Sequence, residues 1–130
     1  MKRIYVAGAY SADNVIDVLS NIGKGIKLAY EVFKAGYYPF CPFLDYHYTL
    51  IAGQEEVRFT VDQYYAYSIS WLEVSDALLL VPDWEDSTGT KNEIKRANEL
   101  LIPVFSTLTA MVEHFENYSI SASIGSGVSE

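Results

Sequence analysis

The sequence predicts an α/β domain, with helices on both faces of a parallel sheet of four to five strands. Two observations carry this. Short, wholly apolar runs such as Ile4–Ala7 and Ala77–Val81 read as strands buried on both sides, the pattern of parallel rather than antiparallel sheets. Between such runs lie longer stretches with helical spacing, so strands and helices alternate along the chain. The chain has 130 residues, of which 50% are hydrophobic, which suits one domain able to bury a core.

The elements follow in order. Ile4 to Ala7 is the first strand and stops at Gly8. From Asn14 to Ala35, the apolar residues Val15, Leu19, Ile22, Ile26, Ala29 and Phe33 recur at gaps of three and four, which is one face of a helix. Gly36 closes it as a C-cap. Gly23 and Gly25 in its middle point to another element packing close against the backbone. Tyr37 to Phe40 is a short second strand, and Phe43 to Gly53 reads as an aromatic loop over the sheet edge. Glu55 to Val74 is expected to be helical, with Val57, Val61, Tyr64, Tyr65, Ile69 and Leu72 inward. Asp76 to Val81 is a central strand ended by Pro82. Thr90 to Leu101 is the next helix, Pro103 to Phe105 the fourth strand and Leu108 to Phe115 the last helix. The whole is a flavodoxin- or Rossmann-like three-layer arrangement over residues 1–118. The serine- and glycine-rich stretch 119–130 is expected to be a flexible tail.

Composition removes several function classes. A formal net charge of −8 does not suit a binder of nucleic-acid polymers, which needs a basic stripe. It leaves small anionic ligands open, because loop amides and helix starts hold phosphate without many lysines. Cys41 is the one cysteine, so no intrachain disulfide and no cysteine-based zinc set can form; neither metal nor cofactor is called for. The N-terminal residues turn polar too soon for a signal peptide. No apolar run approaches membrane-spanning length. A cytoplasmic protein without a membrane partner is the expectation.

In open α/β sheets the ligand crevice lies at the carboxyl ends of the strands. Three loops meet there: Gly8-Ala9-Tyr10-Ser11, Cys41 to His47, and Pro82 to Thr90. The third is the most informative. It runs from a buried strand through small polar residues and Gly89 into a helix, where unpaired N–H groups and the helix dipole favour an anion. Glu93, near the start of that helix, is a candidate nucleophile beside such a ligand. The same residues, Thr90-Lys91-Asn92-Glu93, also fit a capping box with Thr90 as the cap. Trp84 can wall a sugar or base, or simply pack over the loop. The Asp45-Tyr46-His47-Tyr48 cluster can be a polar rim or carry an acid.

Five blocks in order carry a resemblance. They are Ile4-Tyr5-Val6-Ala7-Gly8-Ala9-Tyr10-Ser11, Gly36-Tyr37-Tyr38-Pro39-Phe40, Trp71-Leu72-Glu73-Val74-Ser75-Asp76-Ala77, Ser87-Thr88-Gly89 with Glu93, and Ile102-Pro103-Val104-Phe105. Over residues 3 to 106 the chain resembles the nucleoside 2-deoxyribosyltransferase-like superfamily, in particular its small bacterial and phage branch and the 2'-deoxynucleoside 5'-monophosphate N-hydrolases. The resemblance implies cleavage of an N-glycosidic bond, with Glu93 as nucleophile and Tyr5 orienting it. Tyr5 equally fits an inward strand aromatic. Ser87 and Gly89 match the hydrolase pattern of phosphate binding, where transferases acting on free nucleosides carry an acid in place of Ser87. Ala9 and Ser11 fall in the first loop, where the family also contacts phosphate.

The implied substrate-binding set is thus Gly8, Ala9, Tyr10, Ser11, His47, Ser68, Trp84, Ser87 and Gly89, with a small-molecule nucleotide as partner. Ser68 is a departure, because the family commonly has an aspartate there to help the base leave. Asp45 and His47 are the other candidates for that acid. The alternative implied by Ser68 is a protein that binds a nucleotide or nucleotide signal without cleaving it. The family also implies a homodimer or larger homo-oligomer, with the Tyr118 region reaching across an interface.

Overall fold

The computed structural model describes residues 1–125, and for residues 44, 46 and 118–125 the backbone alone. Four strands, β1 (Arg3–Ala7), β2 (Tyr38–Phe40), β3 (Ala77–Leu80) and β4 (Val104–Phe105), form one sheet in the order β2-β1-β3-β4. All three pairings are parallel, with Ile4 opposite Pro39 on one side and Ala77 on the other. The helices are α1 (Val15–Lys34), α2 (Asp45–Gln54), α3 (Val61–Leu72), α4 (Thr88–Glu99) and α5 (Leu108–Gly125). The predicted class holds: α1 and α5 cover one face of the sheet, and α3 and α4 the other.

Period-two alternation sorts β1 between these faces. Ile4 and Val6 join the cluster with Ile22, Val32 and Met111, whereas Tyr5 and Ala7 join Leu72, Leu78 and Ala97. Every one of these is buried. The parity of β1 therefore points the Tyr5 ring at α3 and α4, the side on which Glu93 lies.

Helix α1 begins where expected: the Asn14 side chain accepts from the Asp17 N–H, a standard N-cap. Gly36, at φ 96°, supplies the left-handed turn that ends it. The inward face differs from the expectation. Ile22, Gly25, Ala29 and Val32 are buried, while Val15, Leu19, Ile26 and Phe33 are 42–63% exposed. The helix carries two adjoining apolar strips, and spacing alone does not say which one meets the sheet. Gly25 decides it, because a Cβ there would lie 2.5 Å from the Phe43 ring. Gly23 has nothing within 4 Å of its Cβ position, so only one of the two glycines is there for close packing.

The segment Phe43–Gly53, expected as a loop, is instead a 3-10 turn (Pro42–Leu44) followed by α2. Among the described side chains of α2 only Ala52 is a buried hydrophobic, and the sequence shows no apolar periodicity there. Its end was hidden as well. Glu56 sits at φ 57° while Val57 N–H bonds to Ala52 O at 2.8 Å and Glu56 N–H to Gly53 O at 3.3 Å. That is a Schellman motif with glutamate where glycine is usual. Helix α3 then starts at Val61, later than expected, because Thr60 and Gln63 form a reciprocal capping box. Helix α5 runs past Phe115 into the serine- and glycine-rich stretch; residues 126–130 of the expected tail and the Tyr118 side chain lie outside the described residues. No helix among the described residues is long and apolar enough to cross a membrane.

Candidate functional site

The chain leaves β1 for β2 on one side and reaches β3 on the other, so the topological switch point lies between β1 and β3. A crevice of the kind such sheets present at this point opens there, with a volume of about 660 Å³. Three distant segments wall it: Gly8–Ser11 after β1, Pro42, Phe43 and Asp45 around the start of α2, and Asp86–Thr90 with Glu93 at the start of α4. Thr49 of α2 and Val61, Tyr64, Tyr65 and Ser68 of α3 complete it. The three loops expected at one edge are thus brought together.

Glycine is needed at two points of this wall's framework. A Cβ on Gly8 would lie 2.5 Å from Val81 Cβ, and the Phe43 ring is 3.4 Å away. Phe43, 2% exposed, is a wedge lodged between Gly8 and Gly25. It fixes the turn from which Asp45 enters the cavity.

At the floor, the Tyr5 hydroxyl donates a hydrogen bond to Glu93 Oε2. Both residues are buried, and Glu93 still reaches the cavity wall. The two readings of Tyr5 are therefore both true: it is a core strand aromatic and the partner of Glu93. Ser68 of α3, on the same cavity, acts in the direction that favours the Tyr5 phenolate. Burial raises the Glu93 carboxyl to about 7; the Tyr5 hydrogen bond opposes this and the Asp45 charge adds to it. Burial, then the Glu93 charge, pushes the Tyr5 phenol far up, so it stays a donor. Asp45 is also lifted by burial, to about 6, although a place in the first turn of α2 alone would lower it.

The start of α4 does not follow the capping box built on Thr90. Ser87 is the cap: its Oγ accepts from the Thr90 N–H at 3.2 Å and from Thr90 Oγ1 at 2.9 Å. The Lys91 N–H goes to the Ser87 carbonyl at 3.1 Å. The amides of Thr88 and Gly89 are the first-turn donors left over, which a helix cannot satisfy internally, and both residues line the cavity. Glu93, in the second turn of α4, is freed from any capping role and turned to Tyr5. The wall residues include Asp45, Asp86 and Glu93 and, among the described residues, no lysine or arginine.

Residues 43–106 match the model of a domain family of unknown function, DUF4406. No curated protein matches the chain. The DUF4406 match covers just under half of the sequence. It takes in Asp45, Ser68, Ser87 and Glu93, and leaves out Tyr5 and the first loop.

Of the expected site residues, Gly8, Ala9, Tyr10, Ser11, Ser68, Ser87, Gly89 and Glu93 line this one cavity, with Tyr5 beneath Glu93. Two do not. Trp84 packs against the core cluster of Tyr5, Leu72 and Leu80, the alternative packing role. His47 is exposed on α2, away from the wall. Thr88, Thr90 and Tyr65, which were not among the expected site residues, also reach the wall. Cys41 is buried, and its thiol is pushed up to about 11 by that burial, the mark of an unreactive packing cysteine. No group of three or more potential metal ligands occurs among the described residues.

Proposed function

We propose that the protein is an N-glycosidase that hydrolyses the base–sugar bond of a nucleoside 5'-monophosphate, deoxy or ribo, through Glu93. The observation that carries this reading is a buried carboxylate, held by one buried phenol, opening onto the crevice at the switch point. A carboxylate so placed can stabilise an oxocarbenium-like carbon and then bond to it. The resemblance to the nucleoside 2-deoxyribosyltransferase-like superfamily points to the same residue.

In the first half-reaction Glu93 Oε attacks the anomeric carbon and the bond to the base breaks. Water then attacks the same carbon and the ester to Glu93 breaks, releasing the sugar phosphate. Tyr5 favours the ionised nucleophile by donating to it. The 5'-phosphate is assigned to the start of α4, where Ser87, Thr88 and Gly89 line the cavity together with Ala9 and Ser11 of the first loop. With no cation on the wall, amides and hydroxyls carry that binding.

Incubation with a panel of deoxynucleoside and ribonucleoside monophosphates, followed by chromatography of base and sugar phosphate, tests the reading. Base release by the native protein and none by Glu93→Ala is expected. Failure to release base from every common nucleotide by folded protein would sink it. Ser68, in the place of an aspartate, favours a second reading, a nucleotide-binding protein that does not cleave. Calorimetric binding with the ligand recovered intact would establish that one instead. The exposed apolar strip of α1, Val15, Leu19, Ile26 and Phe33, supports a homo-oligomer, since contiguous exposed apolar surface commonly marks an interface.

A further inference from the structure

An N-glycosidic bond breaks with the electron pair leaving on a nitrogen of the base, and a purine or pyrimidine anion is a poor leaving group. A positioned acid is therefore needed opposite the nucleophile. Ser68 cannot serve, because a serine hydroxyl is not an acid at neutral pH. Among the described wall residues there remain two acids besides Glu93: Asp86, on the phosphate side next to Ser87, and Asp45, across the cavity on α2.

We propose that Asp45 is the acid that protonates the leaving base and the base that then activates water, taking over from α2 the work for which α3 offers only Ser68. This rests on the N-glycosidase reading above. In the first step the Asp45 proton passes to a ring nitrogen of the base as the C–N bond breaks and the Glu93 Oε–C bond forms. In the second, water attacks the carbon, its proton passes to Asp45, and the Glu93 ester bond breaks. Both carboxyl groups end as they began.

Several features place Asp45 for this. The Phe43 wedge against Gly8 and Gly25 anchors its turn, and the side chain is half-buried and lines the same cavity as Glu93. Its charge is felt at Glu93 and Tyr5, across the cavity. Among the described residues, the groups shown to register its charge are Glu93 from α4, Tyr5 from β1, Tyr67 from α3 and Cys41 from the chain just before the turn, and Asp86, Tyr64 and Tyr65 share the cavity. All are acids, so none holds Asp45 ionised by opposite charge.

The order of the two carboxyl groups has a consequence. Burial raises both, Asp45 to about 6 and Glu93 to about 7, so the reactive arrangement, Asp45 protonated and Glu93 ionised, is a minor species of the free protein. Its fraction is largest midway between the two values. A slow enzyme with a bell-shaped pH profile centred near pH ~6.5 is expected.

The test compares a nucleoside monophosphate with a 5-phosphosugar carrying 4-nitrophenolate, which leaves without a proton, in place of the base. Asp45→Asn is expected to lower turnover of the nucleotide by about 10²–10⁴-fold. The nitrophenyl substrate should still give a stoichiometric burst of nitrophenolate, followed by slow turnover and a glycosyl adduct on Glu93 visible by mass spectrometry. The burst also certifies that the variant is folded. Loss of both activities together without a burst, or undiminished nucleotide turnover, overturns the assignment of Asp45 alone. Native protein that cleaves no nucleotide overturns the glycosidase reading and this assignment with it. Should Asp45→Asn fail to fold, the native protein decides. Its nucleotide activity should fall above pH ~6.5, whereas its nitrophenolate burst should rise through about 7 and stay level. Matching falls for the two substrates overturn the proposal.

Discussion

Glu93→Gln should make the protein more stable, and increasingly so as pH rises. Burial lifts the Glu93 carboxyl from 4.5 to about 7. The native state thus holds its proton over a range where the unfolded chain has released it. For an acid raised in this way, the native state loses stability as pH rises through that window, because ionising the buried group costs more than ionising the exposed one. The full span corresponds to about 3 kcal/mol, and Glu93 is buried enough for little of it to be screened. Glutamine removes the charge and keeps an amide oxygen to accept from Tyr5. The stability gap between Glu93→Gln and the native protein should therefore widen by about 2–3 kcal/mol between pH ~5 and pH ~8.5. In melting temperature that is on the order of 10 °C for a domain of this size. Urea unfolding at the two pH values, on both proteins, measures it. A gap that stays constant with pH, or closes as pH rises, would refute the claim that the folded protein holds Glu93 under strain. The logic is that of many active sites, where a group kept ready for chemistry is destabilising in the resting protein.

Two other substitutions probe the framework. Ser87→Ala removes the cap of α4 and a hydroxyl of the anion seat; it should cost about 1 kcal/mol of stability and raise KM for a nucleoside monophosphate while leaving KM for the free nucleoside unchanged, as read from denaturation and steady-state kinetics. Gly25→Ala should destabilise by about 1–3 kcal/mol through overpacking against Phe43, despite alanine's better helix propensity; a Gly23→Ala control, with open space at its Cβ position, should be neutral or stabilising, and equal effects at the two positions would contradict the wedge.

The legible parts of the site were those carried by short-range sequence. Tyr5, Ser87 and Glu93 sit in blocks whose order and residue types marked them, and the strand-loop-helix around Ser87 pointed to an anion site without any tertiary knowledge. Asp45 was visible only as one of several acids, because α2 has no amphipathic pattern and ends on Glu56 instead of glycine. Trp84 offered two roles with no local feature to separate them; the core cluster around Tyr5 and Leu80 took it. Thr90 lost the cap to Ser87 since two hydroxyls three residues apart fit the same motif, and only the path of the chain out of β3 selects between them.

The sequence by itself determined the α/β class and the parallel strands, because these follow from continuous apolar runs and local periodicity. It also marked Glu93 as the group to watch. Tertiary structure alone decided which strip of α1 meets the sheet, that Phe43 wedges against two glycines, and that Asp45 and Glu93 share one cavity. It alone set their proton affinities, since burial is a property of packing between segments far apart in the chain and not of any residue's neighbours in sequence.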